Sequence, residues 1–548
     1  MVFDMDENNK YSDEKSVLVY DLETEVKGHA PNGQKDKMKV FGYYSYKTGS
    51  YGVIPFYDTK SIKKIIESHK FLVGFNNINY DSQILEREGY DIKFKKDIDL
   101  YAIIKKRAGS ILIDKGMLND ILMKYSLDYI TQTLGLANAD TGKEEIDYSI
   151  FKKNKWNKEE VKEIKKYTLR DIELTKKLYE WLEQYFDNFK EFLPEKEVRK
   201  KNYLTDTIAN FVYKSICHAM GWEPVYNKQA GEIAEEDKIS GGYVAYPAGK
   251  MFKANTIKLN HDALFRHIMF QQGLNYNESN SVNKMYDGNI IELDYSSLYP
   301  HIMIQCNLYG RNTDSNTGWH GGGMWDVKGY YDDTRMSGVS KLLRKWYFLR
   351  LFYKRKGVLE DGTLFKFKDA YDYIGKKYYH VPDGVQNLDL ELLELTEQKA
   401  EEFKKLGESG KDSREYTIKI SINSVYGILN TPFYQLVHDS VAGGDCTRIG
   451  RQWTKHARKV FRDEGYEIIY TDTDSWYFKD VYNDKDRFMR CKDKVINDIK
   501  NSVPFPQYTF DADIDAEIKY MFFFRRRGGE TKEEDDDSML DEDDMKNK

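Results

Sequence analysis

Two short apolar runs near the C-terminal end constrain the fold more than any other feature of the sequence. Glu467–Asp472 and Ser475–Phe478 are rich in Ile, Tyr, Trp and Phe, and only two residues separate them. This pattern predicts a β-hairpin with a tight turn, and the turn is acidic because it contains Asp474. A third apolar run, Ile290–Asp294, also ends in an acid. The segments therefore predict strands that present carboxylates at their ends.

A second set of acids lies in the first 190 residues, each close to a predicted strand or helix. The set consists of Asp21, Glu23, Asp81 and Asp171. Ser16–Tyr20 predicts a buried strand that ends at the first two acids, and alternation along a strand lets residues i and i+2 face one metal ion. Phe71–Phe75 predicts a strand before the third acid. Lys158–Tyr185 has helical spacing and places Tyr167 one turn before the fourth acid. Taken singly, each acid is more simply explained as a solvated surface residue.

Length and composition predict a multidomain protein of the cytoplasm. The chain has 548 residues, which is too long for one core and predicts two to four domains. No apolar run approaches the roughly 20 residues that a membrane span needs. The four cysteines contain no CxxC pair, which argues against a zinc site or a disulfide framework. We therefore expect a soluble, cytoplasmic protein with no membrane partner.

The net charge of −6 is unevenly distributed along the chain. The last nineteen residues, Glu530–Lys548, carry ten acids and three lysines, so the remainder has a net charge of +1. This acidic block predicts a disordered tail. A near-neutral body can still present basic grooves to nucleic acid, because phosphate binding depends on local charge.

The N-terminal acids occur in three motifs: Asp21-Leu-Glu23, Asn77-Ile-Asn-Tyr80-Asp81 and Tyr167-Thr-Leu-Arg-Asp171. In this order and spacing they resemble the exonuclease motifs of DnaQ-like proofreading nucleases in family B DNA polymerases, over about residues 1–190. The resemblance implies an α/β, RNase H-like 3′→5′ exonuclease domain in which the four acids hold two Mg²⁺ or Mn²⁺ ions. It also implies that Tyr167 orients the attacking water and that Asn77 and Tyr80 contact DNA.

Two further elements bear on the subgroup, and the second of them is similar to one in the compact, protein-primed phage enzymes of this family. Ser126-Leu127-Asp-Tyr-Ile130 resembles an element that grips single-stranded DNA, which implies DNA contacts for Ser126 and Leu127. Lys143-Glu-Glu-Ile146 is similar to a Lys-x-x-hydrophobic element of the exonuclease, which makes Lys143 a catalytic candidate.

Three motifs in the second half resemble polymerase motifs of the same family. They are Asp294-Tyr-Ser-Ser297-Leu298-Tyr299-Pro for motif A, Lys419-Ile-Ser-Ile-Asn423-Ser-Val-Tyr426-Gly427 for motif B, and Tyr470-Thr-Asp472-Thr-Asp474-Ser for motif C. The resemblance implies an α+β palm built on an antiparallel sheet, with helical fingers. It implies DNA-directed DNA synthesis from dNTPs, with two Mg²⁺ or Mn²⁺ ions in each active site.

The resemblance assigns the motif residues to one nucleotide site. Asp294 and Asp474 would bind both ions, with Asp472 as a supporting acid. Tyr299 would exclude a 2′-hydroxyl, and Lys419 would bind triphosphate oxygens as a point charge. The residues expected to line the dNTP pocket are Ser297, Leu298, Asn423 and Tyr426. Gly427 would contact DNA.

A basic segment before motif B supplies two more candidates. Arg350 and Lys354 lie four residues apart in a predicted helix, Lys341–Lys356. They are candidates for the second half of a clamp on the triphosphate. A basic helix at the protein surface explains them equally well.

The sequence departs from the family pattern at two places. Gly241 and Gly242 retain the glycines of the Tyr-x-Gly-Gly element, which contacts template, but the tyrosine is absent. Lys519 and Tyr520 precede arginines that resemble the approach to the primer-binding Lys-x-Tyr motif, whose tyrosine is also absent. The acidic tail follows where a thumb is expected. We therefore expect a separately encoded thumb subunit, with a clamp or terminal protein as a further partner; a tail that mimics DNA is the alternative.

These features predict the domain organisation of the chain. We expect an exonuclease domain at 1–190, a linker or helical connector at 191–235, palm at 236–335 and 431–527, fingers at 336–430 and an acidic tail at 528–548. The expected function is DNA synthesis with proofreading on primer-template DNA, in phage or mobile-element replication. The alternatives are a chain that acts mainly as a nuclease, a split polymerase subunit that needs its thumb, and a DNA-binding or assembly subunit. The priming mode stays open.

Overall fold

The structure, a computed structural model, folds as two compact units, Met1–Phe211 and Val212–Lys548. The residues that it describes are 16–27, 31–105, 126–138, 146–228, 244–245, 250–254, 282–354, 356–358, 364–366, 377–378, 393–394, 413–507 and 509–524. Lys143, Gly241, Gly242 and the acidic tail lie outside them. No helix in the described part of the chain combines the length and apolar character needed to cross a membrane.

A mixed five-stranded sheet forms the centre of the first unit. Its strands are β1 (Val17–Glu25), β2 (Lys37–Ser45), β3 (Ser50–Pro55), β4 (Phe71–Gly74) and β5 (Lys96–Asp99), in the order β3-β2-β1-β4-β5. β1 is antiparallel to β2 and parallel to β4, and β4 is parallel to β5. Leu18, Phe41 and Leu72 are among the buried residues of its core.

The first unit contains six helices in its described residues, and a seventh crosses into the second unit. They are α1 (Thr59–Glu67), α2 (Asp81–Arg87), α3 (Leu127–Thr133), α4 (Lys158–Tyr185), α5 (Glu195–Arg199), α6 (Asn202–Thr205) and α7 (Ile208–Met220), with 3-10 turns at Tyr148–Lys152 and Asp187–Phe192. The helix predicted over Lys158–Tyr185 is confirmed with the same ends. It begins with a capping box, in which Asn157 and Glu160 satisfy each other's backbone N–H groups.

Strand β1 is longer than the sequence predicts. The strand expected to end at Tyr20 continues to Glu25, because Asp21–Glu25 pairs with residues 37–42 of β2. This pairing is invisible to local periodicity, since the acids interrupt the apolar run. Asp21 and Glu23 therefore lie within a strand rather than after it.

The charged segment Asp187–Lys201, which leads into the linker or helical connector predicted at 191–235, is folded into a 3-10 turn and helix α5. Its charges are paired within the first unit. The Lys201 ammonium lies 2.8 Å from the Glu183 carboxylate and is buried, while Lys190 contacts Glu183 at 3.5 Å. Pairing removes the reason for such a segment to remain solvated.

An antiparallel six-stranded sheet forms the centre of the second unit. Its strands are β6 (Val244–Ala245), β7 (Lys250–Ala254), β8 (Val282–Tyr295), β13 (Glu467–Asp472), β14 (Ser475–Lys479) and β15 (Ala512–Phe524), in the order β6-β13-β14-β8-β15-β7. The predicted hairpin is confirmed as β13 and β14. Asp472 pairs with Ser475 across the two-residue turn, in which Thr473 has a φ of 47°.

The remaining elements of the second unit are five described helices and four short strands. The helices are α8 (Leu298–Gln305), α9 (Gly338–Tyr353), α10 (Ser413–Leu429), α11 (Ser440–Asp463) and α12 (Lys485–Ser502). Short strands β9 (Lys356–Val358) and β10 (Leu364–Lys366) pair with each other, as do β11 (Lys377–Tyr378) and β12 (Leu393–Glu394). All residues of motif B, Lys419–Gly427, lie within α10.

Candidate active sites

Three carboxylates of the first unit converge where α4 packs against β1 and β2. In the described ranges, Asp21, Glu23 and Asp171 form the one group of three potential metal ligands whose oxygen atoms all lie within 4.8 Å of one another. The helix approaches closely because residue 42 of β2 is a glycine; a Cβ there would lie 2.3 Å from the Thr168 methyl group. Thr168 lies one turn before Asp171, so this contact places the acid over the strand.

Asp81, at the first position of α2, belongs to the same acidic group. Burial raises the pKa of Asp81 well above its usual value, and the nearby Asp21 and Glu23 carboxylates raise it further. Buried acids this close repel one another unless a cation or a proton compensates. A set of carboxylate oxygens is the donor set that Mg²⁺ and Mn²⁺ prefer, so the residues fit a divalent-metal site.

Two tyrosines meet beside these acids. The Tyr167 hydroxyl lies 2.9 Å from the Tyr148 hydroxyl. Burial and the Asp171 and Glu23 carboxylates raise the pKa of Tyr167, so its hydroxyl stays protonated. The Tyr148 side chain is 60% exposed, which leaves its ring open to an incoming molecule. Sequence reasoning missed Tyr148 as a site residue, since no local spacing links it to Tyr167.

Two residues expected to contact DNA have their polar groups turned into the first unit. The Asn77 side chain is fully buried and donates to the Asp97 carboxylate and to the Tyr20 hydroxyl. The half-buried Tyr80 donates its hydroxyl to Asp36 at 2.7 Å. A direct DNA contact by the Asn77 amide is therefore at odds with this structure, because the amide does not reach the surface.

Ser126 and Leu127, also expected to contact DNA, begin helix α3. The Ser126 hydroxyl accepts a hydrogen bond from the Tyr129 backbone N–H at 3.2 Å and so caps the helix. Ser126 is exposed and Leu127 is half-buried. The serine therefore has a structural role whether or not it also contacts a ligand.

In the second unit, strand pairing brings Asp294 and the β13–β14 turn together. Asp294 lies opposite Ser475 in β14, and the Tyr295 backbone N–H donates to the Asp474 carbonyl at 2.8 Å. Burial raises the pKa of Asp294 to about 7, and the Asp474 carboxylate is the next contributor. Burial and the exposed Asp472 raise the pKa of Asp474. The predicted pair of acids thus lies together in the middle of the sheet, where β8 ends beside the β13–β14 turn.

Three acids that sequence reasoning missed surround this pair. Asp513 of β15 lies directly opposite Asp294 in the strand register, on the side away from β14. Asp515, Glu292 and Asp513 each contribute to the raised pKa of Asp294. The sequence shows alternating acids in Asp511-Ala-Asp-Ile-Asp515, a pattern that by itself does not indicate a site. The pairing of β15 with β8 is what brings Asp513 next to Asp294. The oxygen-rich donor set fits divalent cations, as in the first unit.

Two aromatic rings from different motifs stack beside the acids. Tyr299 and Tyr426 have ring centroids 4.8 Å apart and an interplanar angle of 25°. Burial raises the pKa of Tyr299, with a smaller effect from Asp474, which shows that this ring lies close to the acidic pair. Arg451 of α11 lowers the pKa of both tyrosines. Sequence reasoning missed Arg451, since nothing in the spacing of α11 distinguishes it.

Helix α10 presents the other motif B residues to solvent. Lys419, Asn423 and Gly427 are exposed at four-residue steps, so they share one face of the helix. A Cβ at Gly427 would meet no atom of the described residues within 4 Å. A glycine inside a helix costs about 1 kcal/mol relative to alanine. Packing against the described residues therefore does not require a glycine at position 427.

Arg350, a predicted triphosphate ligand, bridges three elements. Its Nε donates to Glu415 of α10 at 2.9 Å, and Nη1 donates to the Ser297 hydroxyl at 2.5 Å. Arg350 and Glu415 are each 8% exposed, so the ion pair is buried. Ser297 has a φ of 60° at the start of α8. The arginine is thus turned toward the predicted nucleotide site but is already paired.

The remaining predicted residues lie apart from this centre or in the core. The Leu298 side chain is buried, while Lys354 is exposed just after the end of α9. Lys519 and Tyr520 belong to β15, six and seven residues beyond Asp513, which corresponds to roughly 20 Å along a strand. They therefore do not share the site formed by Asp294 and Asp474.

Comparison with known proteins adds one family match. Residues 395–522 match the model of the family described as DNA polymerase family B, a range that includes motifs B and C. The structure is similar to that of the family B DNA polymerase from the hyperthermophilic archaeon Pyrobaculum calidifontis, with 15% identity and a TM-score of 0.48. The similarity covers 92% of this chain and 57% of the archaeal chain. No curated protein matches the sequence significantly.

Proposed function

We propose that this chain is a DNA polymerase of the family B type with a 3′→5′ exonuclease in its first unit. One observation carries the proposal: the part of the chain that matches the family model contains Asp474, and strand pairing brings Asp474 beside Asp294, which lies more than 100 residues outside the match. Two half-buried acids in one site, with raised pKa values, are typical of catalytic centres.

The proposed polymerase site uses residues of four elements. Asp294 and Asp474 hold two divalent cations, which supply electrostatic stabilisation of the charge that develops on the phosphoryl oxygens when they are bound. Lys419 neutralises triphosphate charge, and Arg350 contributes through Ser297. The stacked Tyr299 and Tyr426 rings form a wall that excludes a 2′-hydroxyl and holds the sugar of a dNTP.

The proposed exonuclease site lies among the four acids of the first unit. Asp21, Glu23, Asp81 and Asp171 hold the cations that assist phosphodiester hydrolysis. The protonated Tyr167 hydroxyl orients water, and the exposed Tyr148 ring stacks on a terminal base. The partners of the chain are primer-template DNA and dNTPs, in the cytoplasm of a host cell if the replicon is a phage.

The two centres can be separated by substitution in one primer-extension assay with Mg²⁺ and all four dNTPs. Asp474→Asn should abolish synthesis and leave degradation of the primer intact. Asp21→Ala combined with Glu23→Ala should abolish degradation and leave synthesis intact. Asp314→Asn, which changes an exposed acid, is the matched control and should retain both activities. Loss of both activities in Asp474→Asn would contradict the assignment of two centres.

A second candidate function is a chain that acts mainly as a nuclease. The compact carboxylate group of the first unit favours it, because among the described residues the acids around Asp294 do not form an equally tight group. In that case the wild-type chain would degrade primers without extending them at any dNTP concentration.

A further inference from the structure

Four polar side chains of the first unit form a ring of hydrogen bonds beside the proposed exonuclease acids. The Asn77 amide donates to Asp97 and, at 3.3 Å, to the Tyr20 hydroxyl. The Tyr20 and Ser82 hydroxyls lie 2.8 Å apart, and Ser82 also bonds to Asp97. Tyr20, Asn77 and Ser82 are buried. Each corner of the ring therefore depends on the others for its partners.

The chemistry of the groups fixes the direction of every hydrogen bond. Ser82 has one hydroxyl proton, which it donates to Asp97, so Tyr20 must donate to the Ser82 oxygen. Asn77 uses both amide protons, one toward Asp97 and one toward the Tyr20 oxygen. Both paths around the ring end at Asp97, whose two carboxylate oxygens each accept one bond. Asp97 is thus the acceptor on which the ring closes.

The ring ties together the backbone on either side of the proposed metal ligands. Tyr20 directly precedes Asp21 in β1, and Ser82 directly follows Asp81 in α2. The Asn77 carbonyl also accepts the Ser82 backbone N–H at 2.8 Å, which fixes the start of α2. Asp97 lies in β5, which is joined to β1 through β4. The Asp97 side chain of β5 is therefore linked through hydrogen bonds both to β1, which carries Asp21, and to α2, which carries Asp81.

We propose that Asp97 is a positioning residue, which sets the separation of Asp81 from Asp21 and Glu23 and thereby the affinity of this centre for divalent cations. The inference rests on the proposed exonuclease. It also accounts for the buried Asn77, whose amide serves the ring rather than DNA. Groups that orient metal ligands change metal affinity or activity on the order of 10- to 100-fold when they are replaced.

The test is Mn²⁺ binding to the full-length chain, followed by electron paramagnetic resonance. Mn²⁺ binding by the exonuclease centre is obtained by subtracting the binding of the chain with Asp21→Ala and Glu23→Ala from that of the chain without these two substitutions. Asp97→Ala should weaken this binding at least tenfold, and Asp97→Asn should weaken it less, because its oxygen can still accept from Asn77. Asp91→Ala, which removes an exposed acid, should change nothing. Primer extension by the same variants reports that the second unit is intact.

Tyr20→Phe provides a second variant, which removes the two ring bonds of the Tyr20 hydroxyl, to Ser82 and from Asn77, without changing the side-chain volume appreciably. It should weaken Mn²⁺ binding in the same direction as Asp97→Ala and less strongly. Unchanged Mn²⁺ binding in Asp97→Ala, or in Tyr20→Phe if the first variant does not fold, would overturn the proposal. Absence of primer degradation by the wild-type chain would instead contradict the exonuclease, since the binding measurement does not depend on it.

Discussion

Both centres hold like-charged residues close together in a buried or half-buried position. The pKa of Asp294 rises to about 7 because burial and four neighbouring acids disfavour its charge, and the pKa of Asp81 rises for the same reasons. Neither acid has a described lysine or arginine among the causes of its shift. A structural ion pair would lower these pKa values, so the raised values favour sites that await cations.

Not every shifted group belongs to a site, and His301 provides a prediction about stability. It is fully buried between Ser297 and Thr509, and burial lowers the pKa of His301 to about 4. The unfolded chain takes up the proton near pH 6.5, roughly the usual histidine value, so stability is complete above that pH and falls as the pH drops toward 4. Between pH 7 and pH 5 the second unit should lose about 2 kcal/mol from this group.

Denaturant unfolding of the His301→Gln variant at both pH values measures this contribution. The variant should be less stable than wild type at pH 7, but its stability should fall about 2 kcal/mol less between pH 7 and pH 5. His320→Gln, which changes an exposed histidine, is the control and should follow the wild type. Parallel pH profiles for His301→Gln and the wild type would show that this histidine does not titrate as described.

At the scale of elements, Arg350 couples two helices to the turn at Ser297. Arg350→Lys retains the charge, but a lysine cannot donate to Glu415 and Ser297 with the fixed geometry of a guanidinium. We expect the KM for dNTP to rise about tenfold, as for loss of roughly 1.4 kcal/mol of binding, with a smaller change in kcat. Steady-state incorporation of a single nucleotide measures both constants. An unchanged KM would exclude Arg350 from nucleotide binding.

A substitution of Gly427 in α10 should change stability and activity in opposite directions. Gly427→Ala should stabilise the second unit by up to about 1 kcal/mol, because alanine favours the helix and its Cβ meets no atom. It should nevertheless reduce primer extension, since the methyl group occupies the surface where DNA is proposed to approach. Gly444→Ala in α11 is the matched control, as its Cβ also meets no atom, and it should keep full activity. Equal activity of the two variants would count against a DNA contact at Gly427.

Local sequence patterns predict the helices and strands, whereas the pairing of distant strands determines which acidic side chains lie next to one another. The sequence predicts α4 and the β13–β14 hairpin well because their periodicity and turn residues are local. It fails for the second half of β1, whose acids are held in the strand by β2, and it misses Asp513, which only the pairing of β15 with β8 brings to Asp294. Asp97, the partner of Asn77, is likewise twenty residues away from it, so no local pattern links the two.

In the whole molecule, each compact unit contains one proposed acidic centre. The first centre depends on the contact between α4 and β1. The second depends on the pairing of β8 with β14 and β15 in the antiparallel sheet. Because each centre lies within its own unit, inactivation of one should leave the other folded. The central claim is that the second centre copies a template.

Single-nucleotide incorporation tests this claim most directly. The full-length chain with Asp21→Ala and Glu23→Ala, which cannot degrade the primer, is mixed with primer-template DNA, Mg²⁺ and one dNTP at a time. Our expectation is extension by one residue only with the dNTP complementary to the template base, and no extension when Asp294→Asn is added. Extension that ignores the template base, or that survives Asp294→Asn, would contradict it, as would no extension with any dNTP.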